Sequence, residues 1–352
     1  MPEIYTEFGE GAGTATAGFS GSAVRWLQGA LNRVLGARLR VDGVLGTQTR
    51  AAIRAFQLRR GLSVDGRLTP ALERALVAAG ARPRATPRPP APTPPSPPGT
   101  QRLIRREDTS AGLSLYVEIP LGSESPARPM TGIYVPPGYR PLPQIDLIVY
   151  LHGFKASSPA ATIDAYWDSR RFPYWPLREG VSESQKNVIL AAPTLGPRSQ
   201  AGRLLGTGGF DGYLAEIIRA LIAHGPYSGS RQPPTPGNIV LACHSGGGRP
   251  MRQIAVSEQR AAARVRECWG FDCLYNADDA ALWARWARSR PDARLFLYYL
   301  SSTAELSKQL QAQRIPNVLV ERSIARGHNW VPITHWRNRI QTAPFLRARG
   351  EP

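Results

Sequence analysis

"NIVLACHSGGGRP", residues 238–250, decides how this chain is read. An apolar run ends abruptly in a histidine, a serine and three glycines, and a helical pattern starts near Pro250. A continuous apolar run is what a strand buried on both faces requires. Ser245 therefore falls at a strand-to-helix turn, where its neighbours must be small because the serine backbone is strained and the helix passes close to the strand. Gly246, Gly247 and Gly248 supply that space, and Cys243 stands where the G-x-S-x-G pattern has its first glycine. A phosphate-cradling loop would need Gly-Lys-Ser or Gly-Lys-Thr, and no lysine is near.

Outward from this stretch, "IDLIVYLHGF", "NVILAAPTLG", "VRECWGFDCLY" and "ARLFLYYLSS" have the same form, apolar runs closing on polar or glycine residues. Helical patterns are expected between them at 213–223, 250–263, 279–288 and 304–313. Before them, "GLSLYVEIP" and "TGIYVPPGY" alternate apolar and polar residues, as antiparallel strands do. The expected fold class is α/β with a mostly parallel sheet, whose ligands bind beyond the carboxyl ends of the strands.

A serine is a poor nucleophile without a base and an orienting acid. Beyond Ser245 only His328, in the loop "ARGHNWVP" after the apolar run "NVLVE", and His335, in the final helical pattern, remain. Asp272 ends the run after the nucleophile helix, and Glu305 follows the next run. The segment from about Gly112 to Phe345 resembles the α/β-hydrolases of the serine esterase or lipase type. The resemblance implies the chain order serine, acid, histidine. It assigns Ser245 as nucleophile and His328 as base, with Asp272 as the favoured acid and Glu305 as the alternative, since Glu305 also suits a helix N-terminus. It also implies an oxyanion hole made by the amides of Gly246 and Phe154, the latter from the loop "YLHGF". No cofactor and no metal are expected.

Between His152 and the next run lies "DAYWDSRRFPYWPLREG". His152, Tyr166, Trp167, Tyr174 and Trp175 are candidate substrate contacts, because aromatic faces stack on sugars and grip acyl chains. A small satellite core beneath a long loop is the competing reading.

The stretch 81–100, "ARPRATPRPPAPTPPSPPGT", is so dense in proline that it reads as an extended spacer. It divides the 352 residues into a flexible segment 1–21, a module 22–80 and an enzyme-sized domain 101–352. In the module, "VDGVLGTQTRAAI" from Val41 nearly repeats as "VDGRLTPALERAL" from Val64. Each copy sets an Asp-Gly turn before a helix, with Thr47 and Thr69 as expected caps and Pro70 in a first turn. Val24, Leu27, Leu31, Val34 and Leu35 line a first helix, and Ile53, Phe56, Leu58, Leu72, Ala75, Leu76 and Ala79 continue the apolar pattern. "VRWLQGALN" and "VDGVLGTQTRAAIRAFQLRRGLSVDG" make this unit similar to the three-helix bacterial peptidoglycan-binding domain. The resemblance implies a wall stem peptide or glycan as partner.

The formal charge is +18, almost wholly from arginine, since the lysines are Lys155, Lys186 and Lys308 alone. Attraction to a polyanion and the codon bias of a GC-rich genome both account for it. No helix alternates basic and aromatic residues as a nucleic-acid module would, and no apolar run is long enough to span a membrane. Cys243, Cys268 and Cys273 form no even disulfide framework. The N-terminus lacks the basic start and apolar core of a Sec signal, so the expected location is extracellular or the cell envelope, reached by a non-Sec route or, from the cytoplasm, by release on lysis.

Together these features point to a serine hydrolase of carboxylic esters targeted to the bacterial cell wall. The pairing of modules is similar to that of phage-type mycolyl-arabinogalactan esterases. A non-catalytic wall-binding effector, or an amidase or peptidase on the same fold, are the alternatives.

Overall fold

The computed structural model describes residues 21–66, 68–82, 102–155, 158–167 and 176–350. The expected segment 1–21 and the spacer 81–100 lie almost entirely outside them. The chain divides into two compact units near residue 98.

The first unit packs α1 (Gly21–Leu35), α2 (Thr47–Arg59) and α3 (Pro70–Ala78) around Leu27, Leu31, Ile53, Phe56, Leu68, Leu72 and Leu76. Its internal repeat has a hydrogen-bonded cause. Gln28 donates to Asp42 Oδ1 at 2.9 Å and accepts the Gly43 amide at 2.9 Å. Gln57 does the same with Asp65 at 2.7 Å and Gly66 at 2.9 Å. Both glycines have positive φ, 80° and 67°, which a side chain would strain. Each Asp-Gly turn is thus clamped by a buried glutamine from the preceding helix.

The helices depart from the sequence expectation at Thr47 and at Leu58. Thr69 caps α3 by accepting the Leu72 amide at 3.1 Å, with Pro70 at the first helical position, but α2 is preceded by Gly46 and Thr47 lies inside it. Leu58 is 72% exposed, because the buried face of α2 runs through Ile53, Phe56 and Gln57 at intervals of three and four. The compact unit also runs past residue 80: Ala81 is buried in its core and the Trp26 indole donates to the Arg82 carbonyl at 3.0 Å.

The second unit is built on nine strands: β1 (Leu103–Thr109), β2 (Gly112–Glu118), β3 (Met130–Val135), β4 (Gln144–Leu151), β5 (Val188–Pro193), β6 (Thr235–His244), β7 (Val265–Phe271), β8 (Arg294–Tyr299) and β9 (Val318–Arg322). Their order is β1-β2-β3-β5-β4-β6-β7-β8-β9. β1 to β3 are antiparallel, β3 meets β5 antiparallel, and every later pair is parallel. The carboxyl ends of β4 to β9 consequently share one edge of the sheet.

Both faces are covered, which is why the central strands read as unbroken apolar runs. Leu147, Val149 and Leu151 of β4 face α5 (Gly209–His224), α6 (Gly248–Ala255), α7 (Asp279–Ser289) and α8 (Ala304–Gln311). Ile148 and Tyr150 face the other way, toward α4 (Leu177–Glu183) and α9 (Trp330–Gln341), in a core holding Trp167, Trp269 and Trp336. α6 ends at Ala255 rather than near 263, because Gln259 and Asp211 capture the chain beyond it. Gln259 accepts the Phe210 amide at 2.5 Å, and Asp211 accepts the amides of Arg260 and Ala261.

Candidate active site

β6 delivers His244 and Ser245 to the carboxyl edge, and one turn of 3-10 helix, Ser245–Gly247, leads into α6. Ser245 has φ +53°, the left-handed strain of a sharp strand-to-helix elbow. The glycines around it are demanded by contact. A Cβ at Gly153 would stand 2.8 Å from the Ser245 Cβ. Cβ atoms at Gly246, Gly247 and Gly248 would collide with the Phe154 ring, the Leu151 carbonyl and the Cys273 carbonyl. The elbow is therefore wedged between the loop after β4 and the loop after β7.

Asp272, one residue past β7, also has positive φ, +49°. Its Oδ2 accepts from Nδ1 of His328 at 2.6 Å. Its Oδ1 accepts the Leu300 amide at 2.9 Å and the Thr303 hydroxyl. Burial alone would raise this carboxyl; the hydrogen bonds from His328, Thr303 and Leu300 outweigh burial and hold it below the ordinary value. Glu305 lies in the exposed first turn of α8, where its Oε1 accepts from Gln309. His335 sits in α9, stacked on Tyr298 at 3.8 Å and bonded to Ser323 Oγ at 2.8 Å.

His328 is tied back to the elbow by the residue before Ser245. The ring of His244 lies 4.4 Å from that of His328, and its Nε2 donates to the His328 carbonyl at 3.2 Å. Burial first, and the neighbouring His328 second, lower the His244 pKa to about 3, so it stays neutral. The Tyr275 hydroxyl lies beside Ser245 and Ser302; burial and then the charge of Asp272 push its pKa up, which keeps it protonated. Spacing along the chain gave no sign of Thr303, His244 or Tyr275, whose roles arise where loops far apart in sequence meet.

His152 is wholly buried, with both ring nitrogens used: Nε2 accepts the Leu195 amide at 2.8 Å, so Nδ1 carries the proton and donates to the Gly153 carbonyl at 2.7 Å. Burial lowers its pKa to about 3. In a trans peptide the carbonyl and the following amide point in opposite directions. Anchoring the Gly153 carbonyl thus sets the direction of the Phe154 N–H, in a residue whose ring lies against Gly246. Lys155, next in the chain, is buried and donates through Nζ to the Ala161 carbonyl at 2.8 Å.

Among the aromatic candidates, Trp167 is fully buried, donates to the Tyr116 hydroxyl at 3.2 Å and covers Gly132. Tyr166 is half-buried and stacks on His152 at 4.6 Å. His152 and Trp167 are corrected from substrate contacts to core residues, since neither presents a free face to a ligand. Tyr174 and Trp175 lie outside the described residues. Among the described residues no group of three His, Cys, Asp or Glu gathers to hold a metal ion, and no helix is long and apolar enough to cross a membrane.

The strand order, the elbow after β6 and the histidine loop after β9 define an α/β-hydrolase fold in the larger unit. Residues 20–76 match a family model described as "Putative peptidoglycan binding domain", which identifies the module but covers a minor part of the chain. No curated protein matches the chain. Among solved structures, an S-formylglutathione hydrolase from Agrobacterium tumefaciens is 15% identical, with 68% of this chain and 97% of that one covered, at a TM-score of 0.45. A feruloyl esterase module from Clostridium thermocellum is 13% identical, with coverage of 72% and 98% and a TM-score of 0.43. An enterobactin esterase from Shigella flexneri is 13% identical, with coverage of 64% and 58% and a TM-score of 0.39.

Proposed function

We propose that the larger unit is a serine hydrolase of carboxylic esters, held on the bacterial cell wall by residues 21–82. The observation that carries this reading is the 2.6 Å bond from His328 to a buried, fully hydrogen-bonded Asp272 at the sheet edge where Ser245 occupies a strained elbow.

With Nδ1 committed to Asp272, the other ring nitrogen of His328 is left to act as base. It takes the proton as Ser245 Oγ attacks the acyl carbonyl, and Asp272 stabilises the imidazolium that results. The carbonyl oxygen becomes an oxyanion and accepts from the amides of Gly246 and Phe154. His328 then returns the proton to the departing alcohol, leaving an acyl-enzyme. Water, deprotonated by the same histidine, releases the acid and restores Ser245. His152 supports this chemistry by holding the Gly153–Phe154 peptide in one orientation.

For the wall partner, charge distribution supports attraction beyond a neutral groove. Residues 21–82 carry eleven arginines against three acids, whereas residues 102–352 carry thirty-one basic against twenty acidic residues in four times the length. Codon bias would load both units alike; the concentration in the module favours a role in binding an anionic wall.

Hydrolysis of short- and long-chain p-nitrophenyl esters by the full chain, beside Ser245→Ala and His328→Ala, tests the catalytic reading. Turnover abolished in both variants is expected. A folded wild-type chain without turnover on any ester moves the assignment to amide substrates or to binding alone.

A further inference from the structure

One polar side chain beside the elbow has no part in the scheme above. Ser199 lies in the segment after β5, residues 194–200, which is fastened directly to the loop after β4. The Leu195 amide donates to His152, and the Lys155 amide donates to the Pro197 carbonyl at 2.8 Å. Within the segment, the Ser199 amide bonds the Gly196 carbonyl and the Gly196 amide bonds the Gln200 carbonyl, both at 2.8 Å. Any side chain at 199 is therefore held in place.

Ser199 is only 3% exposed, yet its Oγ has no hydrogen-bond partner among the described residues. Its φ is +58°, a conformation that favours glycine. A buried hydroxyl without a partner and a left-handed backbone are both unfavourable. Alanine would remove the first and glycine both, so packing does not account for a serine here. Strain and unsatisfied polarity of this kind gather where a ligand completes the site.

The position of the hydroxyl indicates which ligand atom would complete it. A Cβ at Gly246 would stand 3.0 Å from Ser199 Oγ and would collide with the Phe154 ring. The Ser199 hydroxyl, Gly246 and Phe154 thus converge beside Ser245.

We propose that Ser199 is a further catalytic residue, whose hydroxyl donates a third hydrogen bond to the acyl carbonyl oxygen as it becomes an oxyanion. This rests on the serine hydrolase reading and adds a side-chain donor to its two backbone donors. The hydroxyl keeps its proton throughout, so the acyl transfer is otherwise unchanged. Because the bond strengthens as charge develops on the oxygen, its effect falls on turnover more than on binding.

The test uses the full chain, a fluorophosphonate probe whose phosphoryl oxygen takes the oxyanion position, and a p-nitrophenyl ester. In Ser199→Ala the labelling rate at Ser245 and kcat should each fall about 10²- to 10³-fold, with KM within threefold and an unchanged or higher urea midpoint. Ser199→Gly, which accepts the positive φ without strain, should lose the same activity and gain stability. Labelling and turnover within threefold of wild type in both variants would overturn the proposal while leaving the serine hydrolase reading intact. Activity and urea midpoint falling together in both variants would also overturn it, in favour of a structural role. A wild-type chain that takes no label at Ser245 would overturn the hydrolase reading, and the role of Ser199 with it.

Discussion

His328 Nδ1 lies 2.6 Å from Asp272 Oδ2 across fifty-six residues of sequence, and the carboxylate it meets is fully enclosed. Asp272→Asn should preserve the shape of the site but present the wrong tautomer to His328. Ester turnover is expected to fall by about 10³- to 10⁴-fold, while Glu305→Gln stays within twofold of wild type. Steady-state kinetics on the two purified variants decide between the acids; the reverse ranking would transfer the role to Glu305.

Stability should depend steeply on pH below neutrality. His152 and His244 are buried and neutral, with pKa values lowered by burial from 6.5 to about 3. Between these values the unfolded chain binds protons that the folded chain refuses. Stability is therefore fully present above pH 6.5 and lost as pH falls toward 3, by about 1.4 kcal/mol per pH unit for each histidine. Urea midpoints at pH 7, 6 and 5 measure the slope, and His244→Gln should remove about half of it. A midpoint flat over this range contradicts the buried neutral pair.

Two glycine substitutions in the hydrolase unit should act in opposite directions. Gly248→Ala drives a Cβ into the Cys273 carbonyl and should cost about 1–3 kcal/mol, together with the ester turnover proposed for Ser245. Gly212→Ala in α5 meets nothing within 4 Å and has an ordinary φ, so it should add about 0.5–1 kcal/mol. Thermal unfolding of both proteins beside wild type gives the sign directly.

Wall binding should weaken with salt. Arg33, Arg54 and Arg74 are exposed, one on each helix of the module. Pelleting with purified cell-wall sacculi should drop about tenfold between 50 and 500 mM salt, as exposed charges are screened. The triple Arg→Gln variant should bind more weakly at low salt and respond less to salt, with p-nitrophenyl ester turnover unchanged. Identical salt curves for variant and wild type would leave the arginines without a role in retention.

Much of the architecture was legible because it follows from local periodicity. The continuous runs around Ile148, Val240 and Trp269 mark strands with both faces covered, and the glycines after Ser245 mark a tight elbow. Strand β1 leaves no apolar signature in the sequence, since "LIRREDT" lacks the apolar content of the others and is held at the sheet edge by pairing with β2. Leu58 fits the helical phase by its apolar character alone, yet the buried position belongs to Gln57, whose amide is spent on the Asp65-Gly66 turn. The aromatic insertion was ambiguous because a tryptophan such as Trp167 serves a satellite core and a ligand groove equally well, and composition does not report which way its ring turns.

The sequence by itself determined the order of elements, the serine at a strand-to-helix turn and the paired Asp-Gly turns of the module, because each depends on residues within a few positions of one another. Only the tertiary structure decided which carboxylate meets His328, how His152 and His244 brace the loops, and where the unpartnered Ser199 hydroxyl lies. Those contacts join segments tens of residues apart, and they exist only because the parallel strands bring the loops after β4, β5, β6, β7 and β9 to a single edge.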